Sequence, residues 1–165
     1  MRGEFRIMNY IIRPIKETEY AVLDDFLYEA IFIPEGVTPP PKEIILQPEL
    51  QVYVKDFGKL PDDHCLVAEV NGKIIGAVWV RIMDDYGHVD EHTPSFAISL
   101  YREYRGQGIG TALMREMLAL LSSKGYRQAS LAVQKANFAV RMYRNVGFVI
   151  SDENEEEYIM TAKLS

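Results

Sequence analysis

The chain has 165 residues and a mass of 18.9 kDa, the size of one domain able to bury its own core. Apolar residues make up 48% and charged residues 25%, which excludes the disordered and fibrous classes. A net charge of −6 opposes binding to phosphate polymers, no apolar run approaches the length of a membrane span, and Cys65, the single cysteine, has no partner for an internal disulfide.

Met1 to Tyr10 lacks the apolar centre of a secretory signal, so a cytoplasmic location is expected. Met8 stands directly before the first strand-like run and is a second candidate start, which would make the residues before it an extension. Tyr10 to Arg13 reads as a short strand closed by Pro14. Glu17 to Ile31 carries Tyr20, Leu23, Leu27, Ala30 and Ile31 at helical spacing. Pro34 and Pro39 to Pro41 then interrupt regular structure, and Ile44 to Lys55 is expected to hold a second, poorly defined helical segment. Cys65 to Ile82 reads as a β-hairpin whose Asn71-Gly72 pair calls for a type I′ turn. Asp84 to Gly87 is the next turn and Ser95 to Leu100 the next strand.

Gly110 to Lys124 follows as an amphipathic helix with Ile109, Leu113, Met117, Leu120 and Leu121 on one face and Gly125 as its stop. Gln128 to Val133 is a strand, Asn137 opens a short helix reaching Asn145, and Phe148 to Ile150 with Glu157 to Lys163 form a final pair of strands. No internal repeat or flexible linker divides the chain, so the expected fold is a single α/β domain around one mixed sheet.

The chemistry concentrates in Tyr104-Arg105-Gly106-Gln107-Gly108-Ile109-Gly110-Thr111, where a strand has ended and the long helix begins. Glycines there permit a turn in which several N–H groups converge on the positive end of the helix dipole, making an anion cradle; a merely tight turn is the alternative. No lysine follows Gly110, so the loop is not a nucleotide-hydrolysing P-loop, and Thr111 stands where a dinucleotide fingerprint needs its third glycine.

Arg105-Gly106-Gln107-Gly108-Ile109-Gly110 resembles the Arg/Gln-x-x-Gly-x-Gly/Ala pyrophosphate loop of the GNAT superfamily of acyl-coenzyme A N-acyltransferases. Ser95 to Leu100 is similar to that family's fourth strand, Gly110 to Lys124 to its third helix, and Leu131 to Val133 to its fifth strand. Asn137 to Phe148 resembles its Asn…Tyr…Gly-Phe segment. Arg102 departs from the pattern, standing where many relatives carry proline.

The resemblance implies a domain over residues 10–165 preceded by an extension over 1–9, with a mixed sheet of about six to seven strands flanked by about four helices. Two neighbouring parallel strands, Phe96 to Leu100 and Gln128 to Val133, would splay to form the cofactor cleft. It further implies transfer of an acetyl group from acetyl-coenzyme A directly to a primary amine, with no covalent enzyme intermediate and no metal. Main-chain groups of Ile98, Ser99 and Leu100 would hold the pantetheine arm. The N–H groups of Arg105, Gly106, Gln107, Gly108, Ile109 and Gly110 would hold the pyrophosphate, with Thr111 adding its hydroxyl. Asn137 is implied as a cofactor contact, and equally reads as a helix cap. Tyr143 would protonate the leaving thiolate, its alternative being core packing, and a backbone N–H near Leu100 would hold the oxyanion.

Candidates for the general base are His92 and Glu91, with His88 and Glu69 behind them. His88-x-x-x-His92 would converge on a metal only from a helix, and Pro94 with the missing periodicity argues against one. Cys65 reads as a core residue. Asp24, Asp25, Glu29, Asp84, Asp85, Asp90, Glu91 and Asp152 to Glu157 could draw a cationic amine, or form only a solvated face. Two other function classes stay open on these residues: a non-catalytic acyl-coenzyme A-binding module, and an interaction domain that uses a strand edge. Neither nucleic acid nor membrane is expected as a partner. A homodimer is compatible with the resemblance without any sequence signal for it.

Overall fold

A computed structural model describes residues 9–165. The expected extension over 1–9, and Met8 as a start, therefore lie outside the described residues except for Asn9. The first strand, β1 (Ile11–Pro14), ends on a proline that has no N–H to donate, which suits its place at the sheet edge.

The helix expected over Glu17 to Ile31 is divided. Glu17–Glu19 forms a separate 3₁₀ turn, and α1 occupies Val22–Ala30. The division follows from Glu19, whose carboxylate turns back to accept the Lys16 N–H at 2.9 Å and the Arg13 guanidinium at 2.8 and 2.9 Å. The segment after the prolines is a 3₁₀ turn over Lys42–Leu46 and the single turn α2 (Pro48–Gln51), with Pro48 supplying the fixed φ of a helix start.

Strands β2 (His64–Val70) and β3 (Lys73–Arg81) form the expected hairpin. Asn71 and Gly72 both take positive φ, 50° and 81°, as the type I′ turn requires. After β4 (Ser95–Leu100) come α3 (Ile109–Ser123), β5 (Gln128–Gln134), α4 (Ala139–Asn145), β6 (Val149–Glu153) and β7 (Glu157–Lys163). Helix α3 stops where Gly125, at φ 89°, lets Tyr126 N–H reach Leu121 O and Gly125 N–H reach Ser122 O, both at 3.1 Å.

The seven strands form one sheet in the order β1-β2-β3-β4-β5-β7-β6. Both faces are covered. Leu66, Val78, Phe96, Leu113, Met117 and Met160 pack on the face of α3 and α4. Leu23, Phe26, Val67, Ala77 and Trp79 pack on the face of α1. Burial on both sides explains why β2 and β3 read as near-continuous apolar runs instead of alternating ones. On α3, Met114 is fully buried while Leu120 is only partly so, a small rotation of the expected face.

The feature that positions the site is the β4/β5 junction. These strands run parallel, joined through α3, and their register holds only at Ser95 opposite Ser130. Beyond that pair they diverge.

Candidate active site

The exposed edge of β4 follows from strand alternation. Tyr101 N–H donates to Ile75 O at 3.0 Å, and Gly76 to Arg81 pair in register with Leu100 to Ser95. In an antiparallel ladder alternate residues bond the same neighbour, so Ser95, Ala97, Ser99 and Tyr101 spend their peptide groups on β3. Those of Ile98 and Leu100 turn toward β5, which has already separated from them. Among the main-chain candidates Ser99 thus differs: its peptide groups belong to β3, and its hydroxyl donates to Phe26 O at 2.6 Å. The Leu100 carbonyl is met by Arg105 Nε at 2.9 Å, while its N–H stays on the open edge.

The glycine loop turns at the end of this edge. Arg102–Tyr104 closes a 3₁₀ turn without the proline of many relatives, held by Tyr104 N–H on Tyr101 O at 2.9 Å and Arg105 N–H on Arg102 O at 3.2 Å. Gly106 (φ 73°) and Gly108 (φ 87°) take backbone angles that residues with a β-carbon avoid, and open space lies where that carbon would sit. Gly108 is the N-cap of α3 and offers no side chain, so the first N–H groups of the helix are left for an outside acceptor. Gly110 brings α3 against its neighbours: a Cβ there would lie 3.4 Å from Met142 Sδ and 3.5 Å from Leu100 Cδ1.

The side chains of the loop divide. The Ile109 side chain is buried in the core, leaving its N–H as its contribution. Gln107 folds back to donate to Glu103 O at 3.0 Å, and Thr111 lines the cleft. Arg105 ties the loop to the end of α1 through Glu29, donating to Oε1 at 3.0 Å and to the carbonyl at 3.3 Å.

Helix α4 forms the opposite wall. Asn137 Oδ1 accepts the Ala139 N–H at 2.9 Å, so the capping role is present, and Asn137 also borders the cleft. Gly147, at φ 113°, ends the helix and lets Phe148 N–H reach Tyr143 O at 3.0 Å. This orients Tyr143, whose ring meets Phe148 edge-on at 6.2 Å. Tyr143 is 9% exposed and lines the cavity, and its hydroxyl has no hydrogen-bond partner among the described residues. Burial pushes its phenol up to about 12. Strand β4, the glycine loop, α4 and the end of α1 together enclose about 820 Å³, with Phe138 standing 93% exposed at the rim.

The base candidates are not brought to this cavity. Glu91 and His92 are exposed on the loop before β4, where the parallel strands are still joined, whereas the cavity opens toward the other end of the strand. His92 uses its N–H on Asp90 Oδ1 at 2.8 Å. His88 lies 3.0 Å from Met83 O through Nδ1 and shares a separate depression of about 290 Å³ with Glu91. Glu69 is paired with Arg13 at 2.8 Å, two strands away. Cys65 is buried, and burial pushes its thiol far above the ordinary range. No metal-ligating group of three or more His, Cys, Asp or Glu side chains occurs among the described residues.

One carboxylate does stand at the strand junction, and sequence reading placed it only within an acidic turn. Tyr53 Oη donates to Asp85 Oδ2 at 3.0 Å, and Ser95 Oγ donates to Asp85 Oδ1 at 3.3 Å. Burial raises the Asp85 carboxyl above the usual range, with the two hydroxyls acting in the other direction. Nothing in the spacing of the chain brings Tyr53 and Asp85 together.

Comparison with known proteins gives a consistent result. A family model described as "Acetyltransferase (GNAT) family" matches residues 29–148, well over half of the chain. The chain is similar to N-acetyltransferase 8B of Homo sapiens, 32% identical over 107 residues that make up 64% of this chain and 47% of that protein. It is also similar to an uncharacterized N-acetyltransferase of Methanocaldococcus jannaschii, 31% identical over 102 residues, 58% of this chain and 43% of the other. The chain thus spans less than half the length of these curated relatives. Among solved structures, a GNAT-family acetyltransferase from Streptococcus pneumoniae aligns with a TM-score of 0.68 at 22% identity, covering 95% of this chain and 100% of that one. The PaiA N-acetyltransferase of Thermoplasma acidophilum, solved in complex with coenzyme A, aligns with a TM-score of 0.68 at 20% identity, covering 94% and 99%. At these identities the likeness is one of fold.

Proposed function

The chain belongs to the GNAT acetyltransferase family, and on that premise we propose that it transfers an acetyl group from acetyl-coenzyme A directly to a primary amine. The observation that carries this reading is the convergence of three features on one cavity: the unpaired edge of β4, the N–H cradle at the start of α3, and the buried, unpartnered phenol of Tyr143. Each suits a different part of the donor. The peptide groups of Ile98 can pair with the amides of a pantetheine arm as a further strand would, which leaves the Leu100 N–H unspent. The open cradle at Gly106 and Gly108 has room for a pyrophosphate that β-carbons would crowd.

When bound, acetyl-coenzyme A supplies an activated acyl carbon and a thiolate leaving group. Tyr143 then holds the proton that the sulfur needs, because a phenol raised to about 12 stays protonated at neutral pH. Leu100 N–H, on the open edge of the strand, stabilises the charge that develops on the acyl oxygen. Arg105 and Arg102 border the phosphate end of the cavity and favour its charge.

The test is thermal unfolding with and without acetyl-coenzyme A, run beside Gly108→Glu. A ligand that binds only the folded state raises its melting temperature by mass action. Wild type is expected to shift at saturating ligand, and Gly108→Glu, which places a carboxylate in the cradle, is expected not to. Equal shifts in both proteins, or none in wild type, would remove the cofactor site from this loop.

A further inference from the structure

Ile31, Phe32, Ile33 and Pro39 line the cavity, and none of them packs into the core on either face of the sheet. The chain leaves α1 extended at Ile31, with φ −67° and ψ 122°, and reverses over Pro34 to Val37 before it returns through Pro39. Val37 N–H donates to Pro34 O at 3.1 Å, and Gly36 takes φ 80°, the positive angle that a type II turn places at its third residue. Tyr28 Oη donates to Pro40 O at 2.6 Å and ties the returning chain to α1. Across the opening, on the α4 side, the 93% exposed Phe138 also belongs to neither core. Apolar side chains from both sides of the cavity therefore stand without an apolar partner.

The wall from Tyr28 to Pro39 has no polar side chain to spare. The Tyr28 hydroxyl is spent on Pro40 O, and the Glu29 carboxylate accepts from Arg105 at 3.0 Å. Among the described residues the charged lining of the cavity is Glu29, Arg102 and Arg105. The other acidic residues that could draw a cationic amine, Asp24, Asp25 and the run from Asp152 to Glu157 among them, line none of it. The arm and phosphates of the donor are polar and are matched by the Ile98 peptide groups and the N–H cradle, so an apolar wall is left over for the second substrate. Resting on the proposed acetyltransferase activity, we propose that this wall seats the body of the acceptor, and that the acceptor is a primary amine carried on an aryl or alkyl group, with polyamines disfavoured.

The discrimination follows from what each amine must leave in water. An aryl or alkyl body laid on Ile31, Phe32 and Ile33 removes apolar surface of both partners from solvent. The reacting nitrogen needs no fixed countercharge, because it attacks as the neutral amine. The further ammonium groups of a polyamine stay charged, and the one carboxylate of the cavity is already paired with Arg105. Desolvating such a charge without a partner is unfavourable. The preference therefore arises in binding of the acceptor and not at the reacting centre, and it belongs to KM more than to kcat.

The experiment follows thiol release at saturating acetyl-coenzyme A with 2-phenylethylamine, hexylamine, spermidine and ethanolamine, for wild type, Phe32→Ala and Ile33→Ala. Thermal unfolding of each protein is measured with and without acetyl-coenzyme A. Wild type is expected to use 2-phenylethylamine or hexylamine with a kcat/KM about tenfold or more above those of spermidine and ethanolamine. Each variant is expected to shrink that preference by about threefold or more, through KM more than kcat, while its thermal shift with acetyl-coenzyme A matches wild type. Phe32 and Ile33 are half-buried and lie outside both cores, so their truncation leaves the fold intact; should one variant fail to fold, the other decides. A smaller wild-type preference, or one that the variants keep, overturns the acceptor class and leaves the acetyltransferase reading standing. Loss of the thermal shift in either variant also overturns it, since the wall would then hold the donor. Wild type releasing no thiol with any amine, despite a thermal shift with acetyl-coenzyme A, overturns the acetyltransferase reading and the acceptor class with it.

Discussion

Tyr143 carries two properties that are at odds in an ordinary core residue: it is almost fully buried, and its hydroxyl has no partner among the described residues. An unsatisfied buried hydroxyl costs about 1 to 3 kcal/mol, so leaving one at a cavity wall is a stability cost that a ligand can offset. Tyr143→Phe removes the proton source and that cost together. The variant is expected to lose turnover by about 10²-fold while binding acetyl-coenzyme A as wild type does and melting no lower. Parallel calorimetric titration and thiol-release kinetics would check this, and a matching loss of affinity would make the residue a binding group instead. The motif Asn137 to Phe148 made Tyr143 and Asn137 legible in the sequence, because Asn137 stands directly before the short helix that carries Tyr143 and local spacing carries them together. Asp85 was not legible as a buried, hydrogen-bonded carboxylate, since its partners Tyr53 and Ser95 come from segments 32 and 10 residues away.

At the scale of elements, Tyr53 itself is held by β3. Trp79 Nε1 donates to Tyr53 O at 3.0 Å, and Arg81 Nη1 donates to the carbonyls of Val52 and Lys55 at 3.1 and 2.9 Å. Arg81 is also paired with Asp63 at 2.9 Å, with 5% and 0% of the two side chains exposed, so the irregular segment after α2 is fastened to the sheet at both ends. Removing one member of a buried pair strands the other charge. Asp63→Ala is therefore expected to destabilise the fold by about 3 to 5 kcal/mol, read from denaturant unfolding. A change below about 1 kcal/mol would mean that the carbonyls of Val52 and Lys55 suffice for Arg81. The stretch around Arg81 read as hairpin from its apolar pattern, while Ile44 to Lys55 read only as a poorly defined helical segment, of which the structure keeps single turns. Its order comes from side chains of distant strands and not from a period of its own.

For the whole molecule, one sheet serves two cores. Trp79, fully buried, reports on the α1 face, whereas Leu113 belongs to the α3 face. Because β2 and β3 are buried on both sides, loss of either core exposes the other. Leu113→Ala should cost about 2 to 5 kcal/mol and shift the Trp79 fluorescence transition and the far-ultraviolet circular dichroism transition equally. Separated midpoints would show that the two faces melt independently.

The sequence by itself determined the strand and helix order, the type I′ hairpin, the glycine cradle before α3 and the α4 motif. All of these depend on neighbours within about one or two turns of chain, where residue type and period suffice. Only the tertiary structure decided that β4 and β5 touch at a single pair and then part, that Ser99 turns its peptide groups to β3, and that Glu91 and His92 do not line the cavity beside β4. It also decided that the Asp85 carboxylate is brought over the junction. Strand register and loop placement arise from packing between segments far apart in the chain, and no local pattern records which of several acidic residues that packing will bury.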